Sequence, residues 1–144
     1  MQETLQGKPS YAVKYDYDEA KIHEIAVNSG GETVKDAANY LRALKYWSKD
    51  RFFVMFVDDV AFAAGAFCRE HFNLAEIAVK ESQQKQGYGR FMLNRIKAEC
   101  ARRGVGKIKF LVNPNSPAFI WYLRNGAQAT KRKSKNEYEM EIVL

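Results

Sequence analysis

The residues best spaced for chemistry lie in one stretch, Val79-Lys80-Glu81-Ser82-Gln83-Gln84-Lys85-Gln86-Gly87-Tyr88-Gly89-Arg90. An apolar run ends at Val79, a polar turn follows, and two glycines open an amphipathic segment that continues to Arg103. The N–H groups at a helix start lack intrahelical partners, and the helix dipole adds partial positive charge, so such a junction attracts anions. Glycine lets the backbone approach a phosphate because no Cβ stands in the way. Lys85 and Arg90 bring positive charge to the same place. The chemistry is the grip of a phosphate-bearing ligand. A P-loop requires Gly-Lys-Ser/Thr, which does not occur here. A dinucleotide fingerprint requires a third glycine where this chain has Met92.

Three other side chains could move protons. Glu76 is the only carboxylate in the apolar run that ends at Val79. A charged residue there must face a cleft or be paired, so it is either a base or one half of an ion pair with Arg69 or a neighbouring lysine. Glu81, in the polar turn, is a second and more solvated carboxylate. Tyr122 is either a core aromatic, like Phe119 and Trp121, or a proton donor, since a phenol with a pKa of about 10 stays protonated at neutral pH. His23 and His71 read as surface residues, and Cys68 and Cys100 as buried free thiols. None of these has metal-site spacing, and no metal is expected.

The elements that must position these groups follow from periodicity and punctuation. Tyr11 to Tyr17 alternates as a strand, and Asp18 caps a helix carrying Ile22, Ile25 and Ala26 on one face. A second helix follows Thr33, which has Asp36 three residues on; its stripe is Val34, Ala37, Ala38, Leu41 and Leu44. Phe52 to Val57 and Val60 to Arg69 form a hairpin around Asp58-Asp59, and Leu74 to Val79 is a fourth strand. Tyr88 to Arg103 is a helix with Gly104 as C-cap, Lys107 to Val112 a strand, and Pro117 to Asn125 a short helix stopped by Gly126. Gln128 to Lys133 pairs with the alternating tail ending at Leu144, and the run from Lys131 to Lys135 marks the turn between them. The order β-α-α-β-β-β-α-β-α-β-β predicts an α/β sheet of mixed direction with helices on its faces.

The 144 residues fit one domain, read as 1–144 with 1–10 flexible. No apolar run is long enough to cross a bilayer, and Met1 to Ser10 lacks the apolar core of a secretion signal, so a cytoplasmic protein without a membrane partner is expected. Residues 1–79 hold nine basic and twelve acidic side chains, a net −3; residues 80–144 hold fourteen and five, a net +9. A basic half suggests a polyanionic partner, either nucleic acid or a phosphate-rich cofactor. Nucleic acid is the weaker reading, because the 131–135 run contains no aromatic residue for base stacking.

The pattern Gln84-x-x-Gly87-x-Gly89 resembles motif A of the GNAT superfamily of N-acetyltransferases. Asn115-Ser116-Pro117-Ala118 is similar to the family's Asn-x-x-Ala, and Tyr122 to Gly126 to its Tyr-x-x-x-Gly. Ala127 stands where the family often has Phe. The resemblance covers about residues 50 to 144 and implies a mostly antiparallel twisted sheet whose parallel fourth and fifth strands splay apart. It implies acetyl-CoA as cosubstrate: its pantetheine arm on Ile77, Ala78 and Val79, and its pyrophosphate on the backbone of Gln84, Lys85, Gln86, Gly87, Tyr88, Gly89 and Arg90. Asn115, Ala118 and Phe119 would line the channel. It implies Tyr122 as general acid toward the departing thiolate and makes Glu76 the best candidate for the base. Tyr40, Tyr46 and Trp47 are either acceptor-side wall or core. The expected activity is direct transfer of an acetyl group to an amine of a small molecule or peptide. Alternatives are a nucleic-acid-binding module or a regulator that binds acetyl-CoA without turnover. Pairing of two copies through the last strands is permitted.

Overall fold

The computed structural model describes residues 11–30 and 36–144. Thr33 and Val34, expected to begin the second helix, lie outside them, as do residues 1–10. The elements are β1 (Val13–Lys14), α1 (Glu19–Val27), α2 (Ala37–Ser48), β2 (Phe52–Val57), β3 (Ala61–Phe67), β4 (Phe72–Val79), α3 (Tyr88–Arg103), β5 (Lys107–Val112), α4 (Pro117–Arg124), β6 (Gln128–Ser134) and β7 (Glu137–Val143). The order of elements is the expected one, and the strands form one sheet in the order β1-β2-β3-β4-β5-β7-β6. All neighbours are antiparallel except β4 and β5.

Local chemistry sets most boundaries. Asp18 accepts a hydrogen bond from the Lys21 N–H at 3.0 Å and starts α1. Asp58 and Asp59 both have positive φ, 51° and 56°, as a two-residue hairpin turn of primed type requires. Gly104, at φ 72°, ends α3 in the left-handed conformation. The strand expected from Tyr11 to Tyr17 shrinks to Val13–Lys14. Its neighbours are drawn elsewhere: the Tyr15 hydroxyl accepts from Arg95 at 2.8 Å, and the Tyr17 hydroxyl donates to Glu19 at 3.0 Å. The Lys131–Ser134 segment belongs to the exposed strand β6 rather than the turn, which narrows to Lys135 and Asn136. Lysines along an edge strand discourage pairing with other chains.

Each face of the sheet carries two helices. On one, Ile22, Ile25 and Ala26 of α1 and Ala37, Ala38 and Leu41 of α2 pack on Val54, Phe56, Phe62, Ala64 and Ala78. On the other, Met92, Leu93, Ile96 and Cys100 of α3, with Tyr122 of α4, pack on inward residues of β2, β3, β4, β5 and β7. Cys100 is buried and Cys68 only partly so; both are free thiols. His71 is half-buried in the turn before β4, where its carbonyl accepts from the Cys68 N–H at 2.8 Å, whereas His23 is exposed as expected. Tyr40, Tyr46 and Trp47 are 52%, 71% and 75% exposed, which removes the core reading for them. No described helix is long and apolar enough to cross a membrane.

Candidate active site

The site is made by an interruption in the sheet. β4 and β5 pair only through Phe72 with Ile108 and Asn73 with Lys109, while β4 stays paired to β3 as far as Val79 with Ala61. From Leu74 onward the β4 edge facing β5 therefore has no strand partner among the described residues, and the two strands splay. A bulge marks the departure: Gly65 pairs with Leu74 and Ala64 with Glu76, leaving Ala75 unpaired. The crossing is close enough that a Cβ on Gly65 would lie 2.1 Å from the Asn73 carbonyl oxygen, so only glycine fits. The free edge carries Ile77, Ala78 and Val79, where an amide-bearing arm can pair as an added strand.

At the end of that edge the chain turns through Glu81–Gln83 into α3. Gly87 is the N-cap, at φ 87°, and no side chain caps the helix. The first helical bond runs from Phe91 N–H to Gly87 O at 2.9 Å, so the N–H groups of Tyr88, Gly89 and Arg90 have no intrahelical acceptor. Lys85 also has positive φ, 67°. Gln84 to Gly87 and Arg90 are exposed, and Tyr88 and Gly89 partly so. This cradle of amides, with Lys85 and Arg90 beside it, fits a pyrophosphate. A Cβ on Gly89 would lie 2.9 Å from the Trp121 ring, so glycine there also lets α4 come close to α3.

Glu76 and Tyr122 lie on opposite faces of the sheet. Ile77 and Val79 pack in the α3 layer and Ala78 in the α1–α2 layer, so strand alternation puts Glu76 on the side of Ala78. Tyr122 belongs to the α3–α4 layer, 7% exposed, its ring 4.1 Å from that of Phe110. Burial pushes the Glu76 carboxyl up to about 7. Among the described residues none makes an ion pair or hydrogen bond with it, so the expected alternative partner, Arg69 or a lysine, is not engaged. Burial, and then the charge of Glu76, hold the Tyr122 phenol well above its ordinary value. Glu81 is exposed, as expected of the turn.

The α4 entrance is ordered by Asn113. Its side-chain oxygen accepts from the Asn115 N–H at 2.9 Å, and its carbonyl from the Ser116 hydroxyl at 2.7 Å. Asn115 and Ala118 are exposed and Phe119 partly buried, so this rim is open to a ligand. Ala127 is buried and donates its N–H to the Tyr122 carbonyl at 3.0 Å, which closes the helix without a phenyl ring at that position.

Several supports escaped the sequence reading. The Gln84 side-chain amide donates to the carbonyls of Ser29, at 2.9 Å, and Val79, at 3.1 Å, so this glutamine braces the loop through its side chain. Tyr11 donates to the Gln86 carbonyl at 3.0 Å, its ring 4.4 Å from that of Phe91. Tyr88 donates to Asp58 at 2.8 Å; burial and this bond raise its phenol to about 12. No local signal announces the bonds from Gln84 to Ser29, Tyr11 to Gln86 and Tyr88 to Asp58, which join residues 30 to 75 positions apart.

The sequence profile of the acetyltransferase (GNAT) family matches residues 19–127. No curated protein sequence matches the chain significantly. The structure is similar to PaiA N-acetyltransferase from Thermoplasma acidophilum in complex with coenzyme A, at TM-score 0.78 and 14% identity, over 94% of this chain and 100% of that one. It is similar to the ribosomal-protein-S18-alanine N-acetyltransferase of Escherichia coli, at TM-score 0.76 and 18% identity, over 93% and 94%. Ard1 from Thermoplasma volcanium aligns at TM-score 0.70 and 20% identity, over 93% and 97%. At these identities the likenesses show the fold. With a profile match over most of its length, an open strand edge and an uncapped glycine helix start, this chain belongs to the acetyltransferase (GNAT) family.

Proposed function

We propose that the protein transfers the acetyl group of acetyl-CoA to an amine of a small molecule or peptide, directly within a ternary complex. The observation that carries the reading is the gap between β4 and β5, with a carboxylate of raised pKa on one face and a buried phenol on the other. A free strand edge leading to a bare helix N-terminus suits a ligand with amides at one end and phosphates at the other. That the PaiA enzyme of the same fold was solved with coenzyme A supports this assignment.

Bound acetyl-CoA supplies an activated thioester. Val79 and its neighbours on β4 hold the arm, and the amides from Lys85 to Arg90 hold the pyrophosphate. Asn115, Ala118 and Phe119 line the way between them. An alkylamine with a pKa of about 10.4 is neutral in roughly one molecule per few thousand at pH 7, a cost of about 4–5 kcal/mol. Glu76, ionising near 7, is a base matched to that pH and accepts the amine proton directly or through one water. Tyr122 remains protonated and donates its hydroxyl proton to the departing sulfur.

Calorimetric titration of acetyl-CoA into the wild type and a Gly87→Trp variant tests the cofactor site. A thiol-release assay over polyamines, aminoglycosides, lysine and peptides with free N-termini tests the transfer. Binding lost in the variant, and release with one amine class, are expected; a wild type that does not bind acetyl-CoA would sink the proposal.

A further inference from the structure

A cavity of about 540 Å³ opens along the C-terminal half of α3. Phe53 and Ala98 line it together with Tyr15, and Arg95, Arg102 and Arg103 line it from α3. The hollow is open to solvent, with room for a small ring-bearing molecule against its wall. Arg95 is eight residues beyond Gly87, about 12 Å along the axis, and Arg103 twice as far, so the hollow is separate from the Gly87 cradle.

The arginines are held in place. Arg95 donates to the Tyr15 hydroxyl at 2.8 Å and stacks over Phe91 at 5.1 Å. Arg103 lies over the Phe67 ring at 4.0 Å and donates to Glu99 at 2.9 Å. Arg102 also pairs with Glu99. The lining thus carries three guanidinium groups and one carboxylate, Glu99, which Arg102 and Arg103 share, an excess of two positive charges beside the Tyr15 and Phe53 rings. A solvated helix face leaves its arginines free to move; Arg95 and Arg103 are stacked on rings and hydrogen-bonded beside the hollow, so binding to them costs little further ordering. A guanidinium fork matches the paired oxygens of a carboxylate or phosphate.

We infer that this hollow is a second ligand site, for a small organic anion that carries a carboxylate or phosphate on an apolar body. The anion meets the Arg95 and Arg103 forks, and the body lies against Phe53 and Ala98. This site is independent of the acetyl-transfer reading, because it shares no residue with the gap or the Gly87 loop.

Benzoate and phenyl phosphate, titrated separately into the full chain, test it, with acetate and inorganic phosphate as ringless controls. Binding is read by calorimetry and by the arginine Nε–H signals in nitrogen-15 NMR spectra. One aryl anion is expected to bind about tenfold or more tighter than its control and to shift the Arg95 and Arg103 signals. Which of the two does so separates the carboxylate from the phosphate source. Arg95→Gln should weaken that binding roughly tenfold to a hundredfold, and Ala98→Trp, a surface change that fills the hollow, should abolish it with unfolding unchanged. Aryl anions that bind no better than their controls, or binding that survives both variants, overturn the site. So does a short oligothymidylate that displaces the aryl anion and binds more tightly, since the hollow would then be part of a nucleic-acid surface.

Discussion

The side-chain amide of Gln84 reaches back to the carbonyl of Val79 at 3.1 Å, joining the loop that begins α3 to the strand end it leaves. The same amide reaches the Ser29 carbonyl at 2.9 Å, so α1, β4 and the loop meet on one side chain. The amide cradle and the free strand edge are thereby held in a fixed relation.

Replacing Gln84 by Leu removes both bonds. Stability is expected to fall by about 1–2 kcal/mol, read by denaturant unfolding, and acetyl-CoA affinity by roughly tenfold. Unchanged affinity would show that the loop holds its shape without this brace.

Tyr122→Phe deletes one oxygen and keeps the ring against Phe110. The variant should stay within about 1 kcal/mol of wild-type stability and still bind acetyl-CoA, while turnover falls roughly a hundredfold or more. Equal turnover would return Tyr122 to a packing role.

Glu76 sets two pH dependences. Transfer should rise with pH through about 7 as its carboxylate forms, and Glu76→Gln should lose this limb. Stability runs the other way. The folded-state pKa lies above the ordinary 4.5, so between 4.5 and about 7 the folded protein holds more protons than the unfolded chain, and stability declines as pH rises through that window. Glu76→Gln should therefore be more stable than wild type above pH 7, with the advantage gone below 4.5. Matched urea curves at pH 4 and pH 8 check this; a gap that does not change with pH refutes the burial account.

Gly89→Ala places a Cβ 2.9 Å from the Trp121 ring. The change should cost about 1–3 kcal/mol by overpacking and should loosen acetyl-CoA binding. Adding Trp121→Leu, which withdraws the ring, should restore part of both losses. A double-mutant cycle gives the coupling, and additive losses would mean that the two side chains do not meet.

The elements were legible in the sequence wherever neighbours along the chain decide them. Tyr88–Arg103 came out with its limits because an exposed glycine turn opens the helix and Gly104 ends it. The Asp58-Asp59 turn likewise follows from residues that tolerate positive φ. The Gln84–Gly89 pattern, with the matches at Asn115 and Tyr122, was enough for the family. The length of β1 was not legible, because Arg95 and Glu19 draw Tyr15 and Tyr17 away by contacts remote from the strand.

The resemblance implied that β4 and β5 splay, and tertiary structure alone decided where they part. Nothing within Phe72–Val79 announces that β4 leaves β5 after Asn73; that follows from the bulge opposite Gly65, where two backbones come too close for any side chain. It also decided the state of Glu76, since whether a strand carboxylate is paired or merely desolvated depends on which cations other elements bring to it. Residue types and spacing are written in the chain, but a pKa depends on burial and on charges far away in sequence, and these exist only once the layers have packed.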